Sequence, residues 1–530
     1  MLTSPSTDSL VLSSSPGRAR EDCLQNLDLV EEIIQHIGGG STAHIDEINK
    51  GRHSLLQVAL TCRAFSPSAI KFLWRALNNL LPLLQLLPSF TKRNGTYYLL
   101  GAITPHDWDR FDCYAAHVQQ IHHERIYNAA IEPSVFLQLA IRKAPILPNL
   151  RRMKYMSASG RPLSEVLLCT LSPLREIEIQ DASDSQAVFD TTMGEVIFSA
   201  LGGSVNSRIT TLVLTGQPYT ILSDNIALDQ LESLTLRNMK GTMDTSMVCW
   251  IGSIPTLLQL TLRIRGQDIW DQKLLSSRGL FKALLHLRLE GGTDPYSGRL
   301  FLRLISSEIL QIVWQMHYGL QPASRRNVAA AELKNILRII AQWSKSLYDL
   351  EFRIASRVCD QADLRSLFGR LHHLRHLYLS AESDGIRIPD AREFLNSLHA
   401  LPDLETLHLN LTFPEHGLGM DLVTQLAQHC PKLQFLQIPL PSTQLTLFST
   451  TPVSGHNLKT LVVLPNPYPQ FNNNSLVDAV NVARHLDRLF PRLTTVRYYT
   501  ADGSQESQTW KNVQELIFAF QDVRRCAKIQ

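Results

Sequence analysis

The chain has 530 residues, 44% hydrophobic and 19% charged, with 51 basic against 48 acidic side chains and a formal net charge of +3. That length exceeds one ordinary compact core, so several domains or an elongated repeat array are expected. The near balance of charge leaves no footprint for nucleic acid or an anionic membrane, and no apolar run approaches the roughly 20 residues that span a bilayer.

Residues 1–20, "MLTSPSTDSLVLSSSPGRAR", are rich in Ser, Pro and Gly, which predicts disorder. They lack the basic start and apolar core of a signal peptide. Cys23, Cys62, Cys113, Cys169, Cys249, Cys359, Cys430 and Cys526 are scattered, with no C-x-x-C pair. That pattern argues against structural zinc or a disulfide scaffold, and for reduced thiols in the cytoplasm and/or nucleus.

Residues 21–80 read as a helical module. In "LDLVEEIIQHIGGG", Asp28 is a candidate N-cap with Glu31 three residues later. Val30, Ile33, Ile34 and Ile37 follow at helical spacing, and Gly38 suits the helix end. Gly38 to Gly40 precede Ser41-Thr42, but no Lys accompanies them and they follow a helix. They read as a helix stop and a flexible insertion, not a phosphate cradle. "LLQVALTCRAFSPSAIKFLWRAL", residues 55–77, reads as two helices broken at Ser66-Pro67, with Ser66 as cap and Pro67 opening the second. Leu55, Leu56, Ala59 and Leu60 share one face of the first; Val58, Cys62 and Phe65 share another. A helix apolar on two faces is buried on two sides. Its sister helices cover one; a neighbouring domain or a partner must cover the other.

These residues resemble the F-box, in the form common among fungal F-box proteins. That family runs Leu-Pro-x-x-(Leu/Ile)-(Leu/Ile)-x-x-Ile, then Leu-x-x-(Leu/Val)-x-x-(Val/Thr)-Cys-(Arg/Lys)-x-(Phe/Trp), then Leu-Trp. Leu27, Ile33, Ile34 and Ile37 match the first part. Leu55 or Leu56, Ala59, Leu60, Thr61, Cys62, Arg63 and Phe65 match the second, and Leu73-Trp74 the third. Asp28 stands where the family usually has proline, and the first loop is longer. The resemblance implies docking on the Skp adaptor of a Skp–cullin–F-box ubiquitin ligase, with Leu27, Ile33, Ile34, Leu56, Leu60, Phe65, Leu73 and Trp74 as adaptor-binding residues.

Residues 81–144 read as a linker or helical connector. From 145 to 500 the unit L-x-x-L-x-L recurs, with its first apolar position at Leu150, Leu174, Ile209, Leu231, Leu257, Leu284, Ile309, Leu347, Leu374, Leu404, Leu433, Leu458 and Leu493. The alternation within each unit predicts a strand with one buried face. Helical spacing in "DLRSLFGRL", "AREFLNSLHA", "DLVTQLAQHC" and "LVDAVNVARHLDRLF" fills several intervals. The fold expected is α/β: the three-helix F-box module followed by an irregular α/β solenoid that resembles leucine-rich repeats. Irregularity is expected because Met239 and Thr412 replace the usual turn Asn or Cys. Residues 501–530 read as a capping helix, with Trp510, Val513, Leu516, Ile517 and Phe520 on one side.

Candidate chemistry is sparse. His122, His123 and Glu124 adjoin, as do His372, His373 and His376, but neither group has convergent ligand spacing. The run Asp107, Asp109, Asp112 lacks the Gly and Glu of a calcium loop. No hydrolase or dinucleotide signature is present. The expectation is a non-catalytic receptor with no metal, cofactor, nucleic acid or membrane partner. Its partners would be the Skp adaptor, a cullin through it, and a protein substrate whose identity and contact residues one sequence does not name. The alternative is a repeat scaffold acting outside any ligase, with the module packed against it.

Overall fold

The computed structural model describes residues 24–38, 45–101, 103–123, 130–142, 145–157, 164–181, 208–217, 228–265, 279–290, 295–316, 323–354, 361–381, 391–411, 420–440, 455–464, 476–499 and 508–529, with 199, 219, 222, 268 and 270. Residues 1–20, expected to lack order, lie outside these. The chain divides into two compact units, 1–228 and 229–530.

The first unit opens with α1 (Leu27–Ile37), α2 (Ile45–Thr61) and α3 (Ser66–Arg75). Asn26, not Asp28, caps α1. Its extended backbone lets Oδ1 accept from the amides of Asp28 and Leu29 at 3.1 and 3.3 Å. Likewise Phe65 holds the cap position of α3 with no side-chain bond, while Pro67 sits in the first turn. The insertion expected before Leu55 is helical from Ile45, and Arg52 ties it to α3 by donating to the carbonyls of Leu73 and Ala76 at 3.2 and 3.0 Å. Gly51 permits the close approach of α2 to the end of α1: a Cβ there would meet the Ile37 carbonyl oxygen at 2.7 Å. Val30, Ile34, Leu55, Ala69 and Phe72 form the core of the module.

The remaining elements of this unit are β1 (Ala76–Leu77), α4 (Leu81–Leu84), β2 (Phe90–Arg93), β3 (Thr96–Leu99), α5 (Pro105–Ala115), β4 (Gln120–His123), β5 (Ala130–Ile131), α6 (Pro133–Ala140), β6 (Arg152–Ser157), α7 (Ser164–Cys169), β7 (Glu176–Asp181) and β8 (Thr211–Thr215). β2 and β3 form an antiparallel hairpin around Asn94-Gly95, both at positive φ, as a tight primed turn requires; β5 joins β3 in parallel. The parallel sheet runs β1-β4-β6-β7-β8. The repeat sheet therefore starts at residue 76 and not at 145. The segment 81–144, expected to be a connector, supplies β4 and the hairpin. The physical reason is positional: Trp74 and Val118 stand two residues before β1 and β4, as Leu150 stands before β6. Backbone bonds continue the pattern, from the amide of Gln119 to the carbonyl of Arg75 and from Arg151 to Gln119.

The second unit comprises β9 (Ser233–Arg237), α8 (Thr245–Ser253), β10 (Gln259–Leu262), β11 (His286–Leu289), α9 (Pro295–Leu302), β12 (Gln311–Met316), α10 (Ala323–Ile340), β13 (Asp349–Ile354), α11 (Gln361–Phe368), β14 (His376–Ala381), α12 (Ala391–Leu398), β15 (Thr406–Asn410), α13 (Met420–His429), β16 (Phe435–Pro439), β17 (Thr460–Leu464), α14 (Leu476–Leu489), β18 (Thr495–Tyr498) and α15 (Gln508–Ile529). β9 to β18 pair in parallel, in chain order. Each of the thirteen repeat positions read from the sequence is buried, and each strand from β6 to β18 starts two residues after one of them. Parallel strands in chain order, with helices between many of them, constitute a leucine-rich-repeat-like arrangement.

Hydroxyl donors tie successive repeats together on the N-terminal side of the strands. Thr256, Ser307 and Ser346 hydroxyls donate to the carbonyls of Leu231, Leu284 and Ile309 at 2.9, 2.6 and 2.9 Å. Near Met239, the Arg265 guanidinium donates to the Met239 carbonyl at 2.6 Å. Beyond β18, α15 packs on α14 and β18 and buries Trp510, Val513 and Ile517. Gln514 Oε1 accepts from the Val496 amide at 2.6 Å, and Gln521 donates to the Leu493 carbonyl at 2.8 Å.

Candidate functional site

The helical module separates its apolar residues into two sets. Val30 and Ile34 of α1 and Leu55 of α2 point into the core, and Ile37, Val58, Ala59, Phe65 and Leu73 pack around it. On the opposite sides, Leu29 and Ile33 lie one turn apart on α1, and Leu56 and Leu60 one turn apart on α2. These and Leu27 are exposed: Leu27 by 70%, Leu29 by 41%, Ile33 by 42%, Leu56 by 46% and Leu60 by 75%. The module fills its own core and leaves these side chains in water.

The residues matched to the F-box therefore divide. Leu27, Ile33, Leu56 and Leu60 are available to a partner. Ile34 is fully buried and belongs to the core, while Phe65 and Leu73 are half-buried against it. Trp74 packs on Tyr114 of α5 with ring centroids 4.7 Å apart, in the place that a leucine holds in later repeats. Leu29 was missed by the motif match, although its four-residue step to Ile33 marks it. Between α1 and α3 lies a cavity of about 500 Å³ lined by Asp28, Glu31, Glu32, Gln35, Lys71, Phe72, Arg75 and Gln119.

In the second unit the outward positions of the strands form registered rows. One runs His286, Gln311, Asp349, His376, Thr406, Phe435. His286 Nδ1 lies 3.2 Å from Gln311 Oε1, and Gln311 Nε2 donates to Asp349 Oδ2 at 2.6 Å. Burial pushes the Asp349 carboxyl above the usual carboxylate range, against the pull of His376. Beside this row Arg353 stacks over Tyr378, Tyr378 meets His408 at 5.2 Å, and His408 stacks on Phe435 at 4.5 Å. Burial holds His408 below the ordinary imidazole value, offset in part by the Gln437 hydrogen bond. These side chains are half-buried on the sheet face. A stacked, hydrogen-bonded surface of this kind presents fixed shape and polarity for recognition.

The other sequence clusters are taken up by structural contacts. His123 stacks on Tyr155, and Glu124 lies outside the described residues. His372 bonds the Ala400 carbonyl, His373 pairs with Asp403, and His376 stands on β14. Asp107 completes a capping box with Thr104, whose amide bond holds its carboxyl below the usual range. Asp112 binds Arg142 through both oxygens at 2.6 Å. Cys430 is buried, which pushes its thiol up to about 12. Among the described residues, no group of three or more His, Cys, Asp or Glu is placed to hold a metal ion, and no helix is long and apolar enough to cross a membrane.

The sequence matches no protein-family model and no curated protein. Among solved structures it is similar to the leucine-rich repeat-containing protein LegL7 from Legionella pneumophila. The identity is 14% and the TM-score 0.34, covering 69% of this chain and 98% of that one. It is also similar to a chain of the Drosophila Toll–Spatzle complex, at 14% identity and TM-score 0.32, covering 76% of this chain and 47% of that one. The leucine-rich-repeat-like description rests on this chain's own strand order and repeat spacing.

Proposed function

We propose that this chain is a non-catalytic substrate receptor of a Skp–cullin–F-box ubiquitin ligase. The helical module binds the Skp adaptor, and the repeat sheet face holds a protein substrate. The supporting observation is the exposed apolar set Leu27, Leu29, Ile33, Leu56 and Leu60 on a module whose own core is complete. Covering side chains of this size contributes on the order of 1–2 kcal/mol each, and the F-box resemblance of Leu27, Ile33, Leu56 and Leu60 names the adaptor. Such a receptor acts by proximity: it raises the substrate's effective concentration at another subunit's active site.

Co-expression with the host's Skp adaptor tests the reading. The intact chain is expected to co-purify with the adaptor, and Leu56→Ala plus Leu60→Ala to lose it with little change in melting temperature. Failure of the intact chain to co-purify, or equal capture by the double variant, overturns the ligase assignment. The half-buried polar and aromatic rows on β11–β16 favour a second reading, a protein-interaction scaffold outside any ligase, which stands if adaptor capture fails.

A further inference from the structure

We infer that the edge strand β2 takes an extended acidic segment of a partner protein as an added strand. This contact needs neither the adaptor face nor the second unit. The small sheet of the first unit runs β2-β3-β5, so among the described residues β2 pairs with β3 alone and its other edge is open. Its register sets Arg93 against Thr96 next to the Asn94-Gly95 turn, then Lys92 against Tyr97 and Thr91 against Tyr98. In such a hairpin the pair beside a two-residue turn exchanges both backbone bonds, and bonded and non-bonded pairs alternate from there. Thr91 and Arg93 therefore bond β3, and the next step of that alternation is the Leu100 amide donating to the Ser89 carbonyl at 2.9 Å. The N–H and C=O of Lys92 and the C=O of Phe90 point to the open edge, while the Phe90 N–H is taken up by the Leu87 carbonyl at 3.0 Å. Outward groups of this kind are what an added strand bonds.

Charge decides which strand fits. Thr91, Lys92, Arg93, Asn94 and Gly95 are all exposed. Among the described residues neither Lys92 nor Arg93 is in an ion pair; Lys92 Nζ lies 5.3 Å from the centroid of the Tyr97 ring, which itself stacks on Phe90 at 5.1 Å. The strands β2, β3 and β5 contain no Asp or Glu, and Glu132 follows β5, at the far edge of the sheet from β2. An edge that carries Lys and Arg repels a second copy of itself, which is how such residues protect a sheet from self-association. The same charges admit a strand that carries carboxylates, so one device rejects the wrong partner and selects the right one. Lys92 and Arg93 are adjacent on a strand and so stand on opposite faces of the sheet. Two successive acidic residues of an added strand reach both. That placement gives no continuous basic surface of the kind a nucleic-acid backbone requires.

The test is fluorescence anisotropy on the full chain, with a fluorescein-labelled Val-Thr-Glu-Glu-Thr-Val peptide as probe. Saturable binding is expected that weakens about 3-fold or more between about 0.05 and 0.3 M salt, because exposed charges are screened. Lys92→Glu combined with Arg93→Glu weakens it by about 10-fold or more, and the same variant gains binding of a Val-Thr-Lys-Lys-Thr-Val probe. Backbone pairing is read with acidic probes N-methylated at alternate residues. One set of alternate amides would face β2 and the other would face away, so one probe loses about 10-fold or more and the other stays within about 3-fold of the parent. This comparison uses the wild type alone and stays decisive should the double variant unfold. Absence of saturable binding by the wild type overturns the inference, as does binding of the acidic probe by a folded double variant equal to wild type. Two N-methylated probes that both bind like the parent reduce the contact to charge alone and overturn it as well. So does equal binding of a labelled single-stranded DNA of similar length, which assigns the edge to nucleic acid. Leu56→Ala plus Leu60→Ala is expected to leave peptide binding unchanged, so failure of adaptor capture and failure of this edge are read apart.

Discussion

Leu404 and Leu60 are both leucines in motifs that mark them as contact-making, yet Leu404 is fully buried and Leu60 is 75% exposed. Leu404 sits in a repeat. Its strand pairs in register with strands that carry the same pattern, so the chain supplies its cover on both sides. Leu60 sits in a module of three helices whose core is closed by Val30, Ile34, Leu55, Ala69 and Phe72 without it. Repetition guarantees a neighbour for each apolar face. A small single-copy module has no such guarantee, and what it leaves uncovered is where a partner is to be sought.

Substitutions in the two regions sharpen that contrast. Leu404→Ala deletes fully buried side-chain volume and is expected to cost about 2–5 kcal/mol, read from the urea midpoint of unfolding. A cost below about 1 kcal/mol would mean that the repeat interior collapses around the gap. Gly51→Ala comes next. Alanine normally favours a helix by about 1 kcal/mol over glycine, but here its Cβ would press on the Ile37 carbonyl at 2.7 Å. The crowding prevails, and a net loss of about 1–2 kcal/mol is expected, again from denaturant unfolding. A stabilised Gly51→Ala chain would show that α1 and α2 can part freely.

A pH effect of smaller size belongs to the repeat side. His456 Nδ1 accepts from the Leu458 amide at 3.1 Å, and Nε2 lies 3.0 Å from the Cys430 carbonyl, so the ring fits its site as the neutral form. Burial holds its pKa below the ordinary value, only partly countered by the Cys430 carbonyl. The unfolded chain therefore takes up the proton first as pH falls. The stability involved is present above about pH 6.5 and is lost as pH drops through the folded value. Unfolding midpoints measured from pH 7.5 to 5 are expected to fall more steeply for wild type than for His456→Asn. Smallest of all, Leu60→Ala is expected to change stability by less than about 0.5 kcal/mol, although the same residue is proposed as an adaptor contact. A large loss in its thermal melt would place Leu60 in the fold and remove it from the interface.

The thirteen buried repeat positions were readable because L-x-x-L-x-L states a strand and its inward side in one string. The first two strands were not. Trp74 and Val118 hold the equivalent position, but "AL" and "QIHH" carry no repeating leucines, and only the pairing of β1 to β4 and of β4 to β6 reveals them. The sequence alone does not single out Asn26 as the cap, because Asp28 offers an equally good one, and extended backbone at Asn26 decides between them. In the helical module, the sequence named the apolar residues but not which of them look outward. Ile33 and Ile34 are adjacent and meet opposite fates, a matter of 100° of helix rotation. The pairing of Arg237 with Glu290 across two strands also has a signal in the sequence. "LTLR", "LTLR" and "LRLE" align Arg237, Arg263 and Glu290 once the strands are set in register.

The terminal strands carry a consequence for self-assembly. A parallel sheet built by repetition offers, at its last strand, the same unpaired amides and carbonyls that every earlier strand used to recruit the next. At β18 the Gln514 and Gln521 side chains of α15 occupy some of those groups, and at β1 Arg52 occupies the Ala76 carbonyl. Each blunts a surface on which a second molecule would otherwise add in register and then present the same invitation to a third. Such head-to-tail growth does not close, and its product is a filament. These side-chain plugs favour a molecule of defined length over a fibre.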